Sequence, residues 1–153
     1  MKNNNSICTE CGALLENVQE CRVYLNEMIK WDFEDFNGVG KIHHLTVLCY
    51  NLQHPSVYSE KGLEDAKQSL QKFLHNPQAF KAHDESNRKK LASDIRDWKI
   101  TGTTEDHGEY LIKPCWTMSA SDVLKGGLGV YMKNVEKWSQ SVLDSLKSSG
   151  NLD

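Results

Sequence analysis

Four absences narrow the field before any motif does. No run in this 153-residue chain approaches the ~20 apolar residues a helix needs to span a bilayer. Basic residues do not outnumber acidic ones: 18 Lys and Arg against 21 Asp and Glu leave a net charge of −3. Such a balance gives no general attraction to phosphate backbones or anionic membranes, so neither nucleic acid nor membrane is expected as a partner. The first ten residues hold one lysine, three asparagines and no apolar run, so no export signal is expected. Internal repeats are also missing. Five cysteines, an odd number, without an export signal point to a reducing, cytoplasmic setting. There, clustered thiols more often bind metal or do redox work than form structural disulfides.

What is present fits a globular domain. The apolar share is 39% and the charged share 25%, and a chain of this length can bury ~70% of its unfolded surface. We expect one mainly α domain over residues 1–150, a helical bundle of about five helices with an N-terminal zinc-binding turn. Within it, residues 1–16 form the metal-binding turn, 17–54 a helical hairpin, 59–98 central helices, 99–118 an irregular connection and 119–148 a long C-terminal helix.

The hairpin rests on helical spacing of Val18, Cys21, Leu25, Met28 and Ile29, with Phe33 and Phe36 beyond. Asn17 and Glu20 stand where a capping box would open the first helix. Asn37-Gly38-Val39-Gly40 supplies the turn, and a second helix over 41–53 must stop near His54 because Pro55 follows. Ser59 opens a third helix carrying Leu63, Ala66, Leu70, Phe73 and Leu74, closed by Asn76-Pro77. Leu91, Ile95 and Trp98 mark a further helical stretch over 78–98. Lys99-Ile100-Thr101 and Tyr110-Leu111-Ile112 are candidates for a small hairpin. The last helix is predicted from the Ser119 cap through Leu124, Leu128, Tyr131, Val135, Trp138, Val142 and Leu146. Gly126, Gly127 and Gly129 each cost such a helix ~1 kcal/mol against alanine.

The chemistry gathers at two places. Cys8-Thr9-Glu10-Cys11-Gly12 puts two thiolates on one tight turn, with Gly12 free to take a backbone conformation closed to other residues. Cys21 follows near a helix start, where the dipole favours a thiolate. A fourth ligand must come from the segment His43-His44-Leu45-Thr46-Val47-Leu48-Cys49-Tyr50-Asn51-Leu52-Gln53-His54. If the chain turns at Gly38, Cys21 lies 17 residues before the turn and His54 lies 16 after it. Antiparallel helices then bring these two to the same end. His43 falls opposite Phe33 at the far end, and eleven helical residues, ~16 Å, separate it from His54. The expected metal ligands are Cys8, Cys11, Cys21 and His54, and the expected ion is zinc.

Plainer readings compete with this assignment. Cys21 also fits the apolar stripe as a small core residue, and His54 also serves as a helix end. His43 and His44 read as surface or half-buried polar residues, and Cys49 and Cys115 as packing residues. His75, His83 and His107 carry no functional claim.

The pattern Cys-x-x-Cys-Gly-Ala (Cys8, Cys11, Gly12, Ala13), together with His43, Leu45, Thr46, Val47, Tyr50, Gln53, His54 and Pro55, resembles a family of small uncharacterised bacterial proteins. Trp116-Thr117, leading into Ser119-Ala120-Ser121-Asp122-Val123, is similar too. In that family the position of His44 is often Arg, and those of Leu48 and Cys49 are often acidic and small. The resemblance supports the ligand set and brings no activity with it.

Two classes of function follow. A closed structural zinc site would pin the N-terminal turn onto the helical hairpin of an interaction or small-ligand-binding domain. An open site would make a metal-dependent hydrolase or thiol transferase, with His43, Tyr50 and Gln53 as second groups. A DinB-like bundle transferase is a variant of the second, although such proteins gather histidines from several helices and the final helix here has none. A thioredoxin-like role lacks the βαβ setting around Cys8 and Cys11. A zinc-ribbon nucleic-acid binder conflicts with the charge. The partner, protein or small molecule, and the oligomeric state are left open.

Overall fold

The computed structural model describes residues 6–15, 20–34, 39–76 and 100–153. The protein is mainly helical, with a short two-stranded antiparallel sheet. In chain order the elements are β1 (Ser6–Ile7), β2 (Leu14–Leu15), α1 (Arg22–Glu34), α2 (Val39–Gln53), α3 (Glu60–His75), α4 (Ala120–Leu124) and α5 (Tyr131–Ser148). Short 3-10 turns occupy Pro55–Val57 and Leu128–Val130. The chain divides into two compact units, Met1–His54 with Ile112–Asp153, and Pro55–Leu111.

In the first unit α1 packs on α2, α2 on α5, and α4 on both α1 and α5. Its core collects Leu25 and Met28 of α1, Leu45, Cys49 and Leu52 of α2, and Ala120 and Val123 of α4. α5 contributes Tyr131, Val135, Trp138, Val142 and Leu146, a seam whose spacings of four and three keep one face turned inward. Among the described residues Trp138 is the largest side chain fully buried, and its indole Nε1 donates to Gln53 Oε1 at 3.2 Å. Gln53 in turn donates from Nε2 to the Met118 carbonyl at 2.6 Å. Each polar atom on this pair thus has a partner, which makes its burial tolerable.

Three expectations are corrected here. A single helix over 119–148 does not form; α4 stops at Leu124 and α5 starts at Tyr131. Between them Gly126 and Gly127 take φ of +90° and +80°, backbone that an α-helix cannot contain. Leu128, expected in the apolar seam, is consequently exposed. On α1, which begins at Arg22, the buried stripe runs Leu25, Met28, Asp32. Phe33, expected on the apolar stripe, is 57% exposed. Cys115 is exposed as well, not a packing residue. The predicted cap Asn17 and the turn at Gly38 lie outside the described residues.

The second unit is built on α3, which begins and ends where the sequence predicts. The Ser59 side chain accepts from Gly62 N at 3.0 Å, satisfying an otherwise orphaned donor of the first turn, and Asn76 closes the helix. Leu63, Ala66 and Leu70 form its buried face. Thr101 forms an antiparallel bridge with Tyr58, extended by Ser59 N to Ile100 O at 2.7 Å and Gly108 N to Tyr58 O at 2.7 Å. The candidate hairpin between 99–101 and 110–112 is therefore not seen; among the described residues, 110–112 form no strand. The expected helix over 78–98 lies outside the described residues. Among the described residues no helix is long and apolar enough to cross a membrane.

Candidate metal centre

The N-terminal hairpin exists because its loop satisfies its own backbone. β1 pairs with β2 in the register Ser6 with Leu15 and Ile7 with Leu14. Between them Cys8 N donates to Ala13 O at 2.9 Å, and Gly12 N donates to Cys8 O at 2.9 Å. Closing so short a loop requires Gly12 at φ +77°, the left-handed region that glycine enters without a Cβ penalty. The loop carries Cys8 half-buried and Cys11 buried on one side, and the Ala13 amide points at Cys11 Sγ from 3.4 Å.

Cys21 stands immediately before α1, its carbonyl accepting from Tyr24 N at 3.0 Å. His54 stands immediately after α2, where Pro55 disfavours continuing the α-helix and opens a 3-10 turn. The antiparallel α1–α2 packing brings both to the end where the hairpin loop lies. Cys8 Sγ is 3.5 Å from His54 Nε2, and Cys11 Sγ is 3.4 Å from Cys21 Sγ. All four ligand atoms of Cys8, Cys11, Cys21 and His54 lie within 4.8 Å of one another. They form a Cys3His group at metal-binding distance.

Two contacts fix the orientation of His54. Its Nδ1 donates to the Tyr50 carbonyl at 2.6 Å, which fixes the tautomer and leaves the Nε2 lone pair facing the sulfurs. The Tyr50 ring stacks on the imidazole with centroids 4.0 Å apart. Without an ion Cys11 and His54 hold their protons more tightly than usual. The bond to Cys21, then burial, pushes the Cys11 thiol up to about 12. Burial pulls His54 down, but hydrogen bonds with Cys11 and the Tyr50 carbonyl outweigh it and carry the imidazole up to about 9.

The surroundings clamp the loop in place. Trp116 Nε1 donates to Glu10 O at 3.1 Å, and Lys113 Nζ donates to Thr9 O. Both come from the strand-free stretch before α4, a contribution with no obvious sequence signal beyond the lone Trp116. Tyr50 and Gln53, candidates for second groups, are both buried. Tyr50 packs on His54, and Gln53 is consumed by Trp138 and Met118. Cys49 is fully buried, as expected for packing, and burial alone raises its thiol far above the ordinary range.

At the other end of the α1–α2 hairpin the rings of His43 and Phe33 lie 5.4 Å apart, the opposition that hairpin register predicts. What sequence reading missed is Asp32, wholly buried there. Its Oδ1 accepts from Tyr131 Oη at 2.6 Å and Thr46 Oγ1 at 3.4 Å, and its Oδ2 meets His43 Nδ1 at 3.2 Å. Burial pushes the Asp32 carboxyl up, and the Tyr131, His43 and Thr46 bonds oppose that. The available signal was its spacing: Leu25, Met28 and Asp32 repeat at three and four, which puts a carboxylate on the inward face.

Fold and cluster together define a mainly helical protein with a Cys3His group able to hold a metal ion. The chain belongs to a family of unknown function, DUF5946, whose model matches residues 6–147. No curated protein and no solved structure matches it.

Proposed function

We propose that this chain is a zinc-stabilised helical domain in which the ion is structural and the surface serves to bind a protein or small ligand. Cys8, Cys11, Cys21 and His54 are the ligands. The supporting observation is the mutual approach of their four donor atoms to within 4.8 Å. A tetrahedral zinc with Zn–S bonds of ~2.3 Å sets neighbouring sulfurs about 3.8 Å apart, inside the range these atoms span. Three thiolates and one imidazole are a donor set zinc favours over harder or octahedral ions. With four protein ligands the shell is complete, so no position remains for water or substrate.

The ion would tie the β1–β2 loop to the end of the α1–α2 hairpin, joining segments far apart in sequence. Zinc would neutralise two of the three thiolate charges that burial otherwise penalises, and the Ala13 amide donates to the Cys11 sulfur. Metal analysis of protein purified without added metal tests the reading. One equivalent of zinc, lost in His54→Ala and Cys21→Ser with a lower melting temperature, supports it. Full zinc retention in His54→Ala with unchanged melting rejects the ligand set.

A further inference from the structure

The three sulfurs of the Cys3His group are unevenly spaced and unevenly sheltered. Cys11 Sγ and Cys21 Sγ approach to 3.4 Å, and both residues are buried, 4% and 6% exposed. Cys8 is half-buried on the same loop, and its sulfur meets His54 Nε2 at 3.5 Å. All three thiols are free, and each lies within 4.8 Å of the other two. A disulfide needs ~2.05 Å between its sulfurs, so roughly 1.4 Å separates Cys11 and Cys21 from a bond. Susceptibility to oxidation follows thiolate character and exposure, which makes Cys8 the sulfur an oxidant meets first.

We propose that Cys11 and Cys21 are a redox pair, closed to a disulfide by hydrogen peroxide that reacts first at Cys8, and that closure releases the ion. Release of the ion rests on the structural-zinc reading; formation of the pair rests on the sulfur geometry alone. The Cys8 thiolate bonds to one peroxide oxygen, the O–O bond breaks, and hydroxide leaves a sulfenic acid behind. Cys11 Sγ attacks the Cys8 sulfur and expels the second hydroxide. Cys21 Sγ then attacks the Cys11 sulfur and expels Cys8 as a thiolate. In sum two thiolates lose two electrons, and one peroxide becomes two hydroxides. Cys8 and His54 are left as donors, half of the four that a structural zinc takes.

The test uses full-length Cys115→Ser protein, treated with hydrogen peroxide after its zinc content is measured. Released zinc is followed with a chromogenic chelator, and the remaining thiols are alkylated before digestion. Cleavage after Glu10, Glu16 and Glu20 puts Cys8, Cys11 and Cys21 on separate peptides. The expected results are one zinc released per chain, a Cys11–Cys21 crosslink, an alkylated Cys8, and renewed zinc binding after dithiothreitol. In chelated protein, Cys8→Ser should form the same crosslink several-fold more slowly. Zinc absent before peroxide rejects the structural-zinc reading and the release with it; the crosslink map decides the pair in either case. A stable Cys8–Cys11 bond, no crosslink at all, or zinc that stays bound through crosslinking overturns the proposal.

Discussion

The two ends of the α1–α2 hairpin solve the same problem with opposite chemistry. At one end Cys8, Cys11, Cys21 and His54 bring together thiols that are weak donors and weak acceptors to each other. At the other, Asp32 meets three strong donors from α2 and α5 and needs nothing from outside. The carboxylate end is complete as protein; the sulfur end, on the proposed reading, is completed by an ion. That difference teaches where stability should depend on metal and where it should depend on hydrogen bonding alone.

The largest expected effect comes from breaking the sulfur end. Cys21→Ser should remove the metal and lower the melting temperature by about 10 °C or more, read by calorimetry with and without chelator, because structural zinc adds its binding free energy to folding. Chelator should then change the variant little while it strongly lowers the parent. Next in size is Asp32→Ala, which removes the buried acceptor shared by Tyr131 Oη, Thr46 Oγ1 and His43 Nδ1. We expect a loss of about 1–3 kcal/mol in urea unfolding, with zinc content unchanged.

A pH series sharpens the contrast further. In chelated protein His54 and Cys11 both hold their protons more tightly folded than unfolded, so each favours the folded state at low pH. Stability should fall as pH rises past the ordinary imidazole value of 6.5 through about 9, and again toward about 12. Metal-loaded protein should show the reverse trend, losing its ion as acid protonates the ligands. If chelated and loaded forms share one pH profile, the sulfur end does not depend on metal. The smallest effect belongs to Cys115→Ser, whose side chain is exposed; its unfolding free energy should stay within about 0.5 kcal/mol of the parent.

Much of this contrast was legible in the sequence, and the rest was not for physical reasons. Counting residues on either side of the turn brings Cys21 and His54 together, and His43 with Phe33, because antiparallel helices advance at the same rise. The α3 cap at Ser59 is likewise a local property. Asp32 escaped because reading for apolar residues passes over a carboxylate at a core position, and the donors from His43, Thr46 and Tyr131 make that position tolerable. Those donors are 11, 14 and 99 residues away in sequence. Gly126 and Gly127 count as a cost to a continuous helix, and the chain removes that cost by leaving the helix.

The most direct measurement of the central claim is a thiol count on protein purified without added metal, taken together with its zinc content. The account predicts one zinc per chain and one fast-reacting thiol, Cys115, with Cys8, Cys11 and Cys21 reacting only once chelator is added. Protein without metal that melts at the same temperature, with Cys8, Cys11 and Cys21 open to reagent from the start, would contradict it.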